Sequence, residues 1–257
     1  MTTTTVTTAD ICVAAAADAW RESGEILAHA VGIIPTIGAR LAHATDAPDL
    51  VLTDGEAHLM AEPPPLGGTA AAGGVIEGWA PFRRIFDILA SGRRHSMMGA
   101  SQIDAWGNQN ISLIGSWDHP KRQLIGVRGA PGNTANHRTD YWVSRHSARV
   151  FVPSVDVVSG VGNDRAAAES SSTLRFHHLG VVITNLGVLD YSPEGRLRVR
   201  SVHPGVTVEQ IQEATGFDID VSEATETRVP TAEELELIEK LDPKGKRFGE
   251  VPVPPAA

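Results

Sequence analysis

Residues 99–133 read GASQIDAWGNQNISLIGSWDHPKRQLIGVRGAPGN. An apolar segment runs into a turn at residues 104–108, and a second apolar run follows at 111–114. A loop at 126–132 closes the stretch with three glycines in seven residues, together with Arg128 and Pro131. Glycine lets a backbone approach a ligand closely because no Cβ intervenes. An arginine in such a loop can grip a carboxylate or phosphate through two parallel hydrogen bonds. Glycine-rich loops are also ordinary turn punctuation, so a ligand loop and a solvated surface turn both remain open.

On either side, short apolar runs alternate with helical patterns. Strands are expected at 50–53, 96–98, 111–114, 150–152 and 181–184, the first ending in a turn at Asp54-Gly55. Residues 186–202 read as a hairpin whose turn, Ser-Pro-Glu-Gly at 192–195, suits a type I turn. Asp10 is expected to cap a helix over 11–23. Pro35 is expected to break the apolar piece at 33–38, with a short helix at 40–44. A further helix falls over 82–90. Thr207 with Gln210, and Thr231 with Glu234, have capping-box spacing; the first helix stops near Gly216 and the second near Leu241. Residues 62–78, rich in Pro, Gly and Ala, read as a long loop of the kind that often carries function. This mixture predicts one α/β domain over 1–250, a largely parallel sheet flanked by helices. A mobile Pro- and Ala-rich tail is expected at 251–257.

The chain has 257 residues, 42% hydrophobic and 21% charged, enough apolar material for a packed core. A net charge of −9 argues against nucleic acid or an anionic membrane as partner. Residues 207–240 hold ten Asp and Glu against Arg228 and Lys240. The middle carries Arg83, Arg84, Arg93, Arg94, Lys121, Arg122 and Arg128. That basic middle suits an anionic ligand, or is a mixed solvated surface. The single cysteine, Cys12, sits among alanines and reads as a buried apolar residue. It allows no intrachain disulfide, which fits a reducing cytoplasm. No apolar run reaches about 18 residues, so no transmembrane helix is expected. MTTTTVTTAD lacks the regions of a signal peptide.

The pattern GA-x-QID-x-x-GN-x-N over 99–110, HPK at 119–121, VVITNLGVL at 181–189 and HPGVTVEQIQEATGFDIDV at 203–221 occur in this order. Together they resemble the β subunits of family I CoA-transferases such as glutaconate CoA-transferase, over about residues 31–241. The resemblance implies a CoA-transferase-like fold. It also exposes a departure. Those transferases use a glutamate at a strand end as covalent nucleophile; here residues 50–56 read LVLTDGE, which puts Thr53 at that position. Threonine without a neighbouring base is a poor covalent nucleophile. Asp54 and Glu56 flank the turn, and a one-residue shift off a strand redirects a side chain. By the same resemblance Arg128 stands where a glycine is expected.

Other motifs point to structure. Gly160-x-Gly162 starts a dinucleotide fingerprint, but Arg165 replaces its third glycine. Ser116, Asp118 and His119 are triad residue types on one turn, whereas a triad needs spatial convergence. His177 and His178 are adjacent, and on a strand would face opposite ways. No set has zinc spacing, and no metal is expected.

The lost nucleophile and added arginine resemble the β subunits of CoA-transferase-like hydrolases of bacterial steroid catabolism. That resemblance implies hydrolytic carbon–carbon cleavage of a cyclic β-keto acyl-CoA, opening the last steroid ring. Water adds to the ring ketone, and the bond breaks to an enolate conjugated with the thioester. No cofactor is implied beyond the coenzyme A of the substrate. The partner implied is an α subunit, in a heterodimer or an α2β2 heterotetramer, and it would carry the catalytic base. This chain would bind substrate through Gly126, Arg128, Gly129, Ala130, Gly132 and Asn133, with Thr53, Asp54 and Gln102. The alternatives are a CoA-transferase using Asp54 or Glu56, and a non-catalytic scaffold subunit.

Overall fold

A computed structural model of the chain describes residues 6–21, 23–54, 58–66, 74–169 and 174–251. In chain order, the first half holds α1 (Thr8–Arg21), β1 (Leu27–Ala30), α2 (Ile33–Ala44), β2 (Leu52–Thr53), β3 (His58–Glu62), β4 (Val75–Trp79), α3 (Arg84–Ala90), β5 (Arg94–Gly99), β6 (Gln102–Ile103), β7 (Gln109–Asn110), β8 (Leu113–Gly115) and β9 (Pro120–Gln123). The second half holds α4 (Ala130–Asn136), β10 (Arg138–Val143), α5 (Asn163–Ala168), β11 (His178–Thr184), β12 (Gly187–Tyr191), β13 (Leu197–Val202), α6 (Val208–Ala214), β14 (Thr225–Glu226) and α7 (Ala232–Leu241). The main sheet has the order β1-β5-β10-β11-β12-β13-β14. All neighbours are parallel except β12, which is antiparallel to both of its own. The largely parallel sheet flanked by helices therefore forms as expected.

Alternation along the strands splits the core in two. Met97, Trp142 and Ile183 face α1 and α2, while Met98, Tyr141 and Val182 join the cluster on the other face. The first layer is tight because its side chains are small. A Cβ on Gly38 of α2 would lie 2.6 Å from the Cβ of Ala16 in α1. Within this layer His95 donates Nε2–H to Asp140 Oδ2 at 2.7 Å and accepts from Ser23 at 2.9 Å. Burial holds His95 below its ordinary pKa despite Asp140. Burial alone would raise Asp140, but the His95 ring, Arg138 and the Val181 N–H bring it below the usual carboxylate range.

Several local expectations change. Asp10 is not the cap of α1. Thr7 is, with Asp10 as its reciprocal partner: the Asp10 N–H donates to Thr7 Oγ1 at 3.2 Å, and the Thr7 N–H donates to Asp10 Oδ2 at 2.9 Å. Pro35 does not break the helix, because it lies in the first turn of α2, where no intrahelical N–H bond is lost. The loop expected at 62–78 shrinks to 63–74, because β3 and β4 take its ends and form, with β2, a separate three-stranded sheet in the order β2-β3-β4; residues 67–73 lie outside the described residues. The strand expected at 111–114 starts at Leu113. The one at 150–152 reduces to a single bridge, Phe151 to Ile103, because Ser147 O draws the 150 and 151 N–H groups into a turn. The strands β1 and β10 were not anticipated. Both capping boxes form, the 186–202 hairpin forms, and Cys12 is fully buried. Of the expected tail, residues 252–257 lie outside the described residues.

Candidate active site

The glycine-rich loop leads straight into α4. Gly126 takes φ +80°, and Arg128 takes φ 48°, alone among the described non-glycine residues in a left-handed conformation. That conformation costs an L-residue roughly 1–2 kcal/mol, and such costs persist where a site over-determines the backbone. Arg128 is exposed and forms no hydrogen bond or ion pair within the described residues. Behind it, α4 is bolted to β5. Asn133 accepts from the Arg94 guanidinium at 3.1 Å, and its Nδ2 lies 3.4 Å from Ser96 Oγ and 3.5 Å from Met98 Sδ.

The strand register aligns a polar row under this helix. Val51 bridges Leu27 in parallel, and Leu27 pairs with Arg94. Thr53 lies two residues beyond that bridge, at the end of β2, and His29 pairs with Ser96. Leu50 and Leu52 sit in the α1–α2 core, so alternation turns Thr53 to the opposite face, that of α4. His29 Nδ1 is 2.9 Å from Ser96 Oγ. Burial, and then Arg94 and His137, push the His29 pKa down to about 3, so the ring is neutral. Arg94 is 5% exposed and has no carboxylate partner among the described residues. Burial lowers its guanidinium to about 10, which leaves it charged at neutral pH.

The residues expected to bind substrate divide into two groups. Asn133 belongs to this row, Thr53 ends the strand that bridges β1, and the backbone of residues 126–129 enters α4 beside the row. Gly132 packs against Leu89 of α3, and Ala130 is buried in the core. Gln102 lies elsewhere. Its Oε1 accepts from Asn110 at 2.6 Å and from the Asp156 N–H at 3.0 Å, while Nε2 donates to Asp156 Oδ2. Likewise Asp104 accepts from the N–H groups of Trp106 and Asn108, so the 99–110 pattern is a buried knot that holds its own turn. Asp54 accepts from the His58 N–H at 3.2 Å and pairs with its ring at 2.8 Å. Glu56 lies outside the described residues.

Motifs read as structural have visible work. Gly162 N–H donates to Asn108 Oδ1 at 2.8 Å, and a Cβ there would meet Trp106 O at 2.6 Å. Ser116 Oγ accepts from His119 N–H in the turn between β8 and β9. His177 uses both ring nitrogens on Thr134 and Asn163. His29 and Arg94 were missed as site residues. The available signal was the alternation Leu-Ala-His-Ala before Gly32, a half-polar strand, and it has no motif value alone.

The coenzyme A transferase family matches residues 86–214. A protein of Rhodococcus jostii (strain RHA1) named cholesterol ring-cleaving hydrolase IpdB subunit is 51% identical over 255 residues, covering 98% of this chain and 99% of that protein. The chain belongs to the coenzyme A transferase family. Within it, the crystal structure of Rhodococcus jostii RHA1 IpdAB superposes with TM-score 0.92 at 50% identity, over 97% of this chain and 100% of that one. Glutaconate coenzyme A-transferase from Acidaminococcus fermentans follows at TM-score 0.79 and 26% identity, over 96% and 98%. As a family member of this kind the chain is a subunit, with an α subunit as partner. An exposed apolar surface is in keeping with that. Trp79 on β4, Phe82 and Phe86 at α3, Trp117, and Ile125 in the site loop are each more than 60% exposed, more large apolar surface than a monomer ordinarily shows.

Proposed function

We propose that this chain is the B subunit of a heteromeric hydrolase that opens the last steroid ring of a cyclic β-keto acyl-CoA in cholesterol breakdown. The observation that carries the reading is the row facing α4. Where the transferases place a glutamate this chain has Thr53, at the end of the strand that bridges β1, and the row offers the neutral donors and acceptors of His29, Ser96 and Asn133. Such a row can bind and polarise an oxygen, but it lacks the carboxylate that would take an acyl group. The catalytic base belongs to the partner subunit. This chain supplies the loop, with Arg128 holding a free carboxylate of the substrate, and one wall of the pocket. The reaction uses water and the thioester already on the substrate, with no added cofactor. The enzyme is a cytoplasmic heterodimer or α2β2 heterotetramer, in keeping with a lone buried thiol and with no described helix long and apolar enough to cross a membrane.

Acyl transfer would leave a covalent mark that ring hydrolysis does not. Incubation of the two-subunit enzyme with acyl-CoA, then hydroxylamine or borohydride, should leave residues 51–56 unmodified by peptide mass spectrometry. A modified Asp54 or Glu56 would restore the transferase reading. His58 already engages Asp54, which weakens it as a nucleophile.

The aromatic surface at β4 and α3 is the docking face for the α subunit on this reading, because Leu89 of α3 packs on Gly132 beside the site loop. Trp79→Asp combined with Phe86→Asp should abolish co-purification of the α subunit, leaving the circular dichroism of the chain intact. The chain expressed alone should be inactive and poorly soluble. Undiminished co-purification of the double variant would place the interface elsewhere.

A further inference from the structure

Arg94, a buried cation without an acid partner among the described residues, heads a chain of hydrogen bonds whose first link can run in only one direction. A guanidinium donates and never accepts, so Asn133 must present its Oδ1 to Arg94, at 3.1 Å. That orients the amide and makes Nδ2 the donor toward Ser96 Oγ, at 3.4 Å. Ser96 Oγ lies 2.9 Å from His29 Nδ1 and keeps its own proton to donate there. In that arrangement the His29 proton sits on Nε2. Each bond polarises the next, and the charge of Arg94 adds to the effect from a site of 5% exposure, where water screens poorly.

We propose that the His29 Nε2–H is the hydrogen-bond donor this chain offers to the substrate's thioester oxygen as that oxygen gains enolate charge, with Arg94, Asn133 and Ser96 as the positioning residues that fix its tautomer. The inference rests on the ring-cleavage reading. In the step concerned, water has added to the ring ketone and a base on the partner subunit takes the hydrate proton. The bond between the hydrated ketone carbon and the carbon next to the thioester then breaks; the ketone carbon becomes a carboxylic acid, and the electron pair moves onto the other carbon and the thioester oxygen. His29 gives no proton; it stabilises the charge until the carbon is protonated. A neutral donor suits this task, because an imidazolium would transfer its proton instead. The charged or titratable groups around the ring, Arg94 and His137, both disfavour its protonation.

The test uses the assembled two-subunit enzyme. Nitrogen-15 NMR of labelled histidine, with the His29→Gln variant assigning the signal, should show a protonated Nε2 and bare Nδ1 down to about pH 5. Ser96→Ala should mix the tautomers. With cyclic β-keto acyl-CoA, His29→Phe should lower kcat by about 10²–10³-fold, as loss of an oxyanion donor does, with little change in KM and no change in the shape of the pH profile. His29→Gln, which keeps a donor, should recover part of kcat. A proton on Nδ1, a lost pH limb, or a His29→Phe kcat within about twofold of the parent would each overturn the assignment. A parent enzyme inert toward these thioesters overturns the ring-cleavage reading instead, and the tautomer measurement still judges the relay.

Discussion

Stability should fall steeply as pH drops from about 7 to 5, through histidines that the fold keeps neutral. Burial, with smaller effects of Arg94 and His95 against a carbonyl bond, brings His137 down to about 4. Burial likewise brings His146 to about 4, its ring stacked on Phe151 and bonded to Thr184 and Thr215. Both have a folded pKa below the unfolded 6.5. Below pH 6.5 the unfolded chain binds protons that the native chain does not, so their stabilising contribution is complete above that pH and is lost on acidification. Two such groups remove up to about 3 kcal/mol per pH unit well below pH 6.5, against a total stability of about 5–15 kcal/mol. Thermal unfolding of the purified enzyme should therefore show Tm dropping well before carboxylates titrate. His146→Gln, able to keep a bond to Thr215, should soften the drop. A Tm flat from pH 7 to 5 would mean that these rings protonate in place.

Arg128→Ala should cut kcat/KM by more than about tenfold. Breaking a partly desolvated charge pair costs roughly 2–5 kcal/mol, and each 1.4 kcal/mol is a factor of ten. Arg128→Lys should recover only part, because lysine cannot form the planar fork. The left-handed backbone supplies a second, independent readout. Arg128→Gly removes a strained side chain and should leave Tm unchanged or slightly raised while lowering kcat/KM as far as alanine does. A structural arginine would show the reverse, with stability lost and turnover kept. Parent-like turnover of Arg128→Ala would make the residue surface decoration.

The sequence carried the capping boxes, the hairpin and the order of motifs plainly, because each rests on contacts within a few residues. It was misleading where a distant partner decides the outcome. Pro35 reads as a breaker until its place in the first turn of α2 is known. Gln102 stands out in its motif, but that its amide meets Asn110 and Asp156 is visible only in the fold. β10 was passed over, although it lies at the middle of the sheet between β5 and β11. Its Asp140 is held there by His95 on the adjacent strand, with Arg138 and the Val181 N–H. The candidate site was half legible. Thr53 and the 126–133 loop stand out against a family pattern, whereas the relay through Arg94, Asn133, Ser96 and His29 exists only once β1, β5 and α4 are brought together.

The central claim is that this chain helps cleave a carbon–carbon bond with water and does not move coenzyme A. Its most direct test is turnover of a cyclic β-keto acyl-CoA by the co-expressed pair in ¹⁸O-labelled water, followed by mass spectrometry of the product. Ring hydrolysis predicts a product heavier by one labelled water, with the label in a new carboxylate and coenzyme A still attached. Free coenzyme A, or coenzyme A moved to an added carboxylic acid with the ring intact, would contradict it.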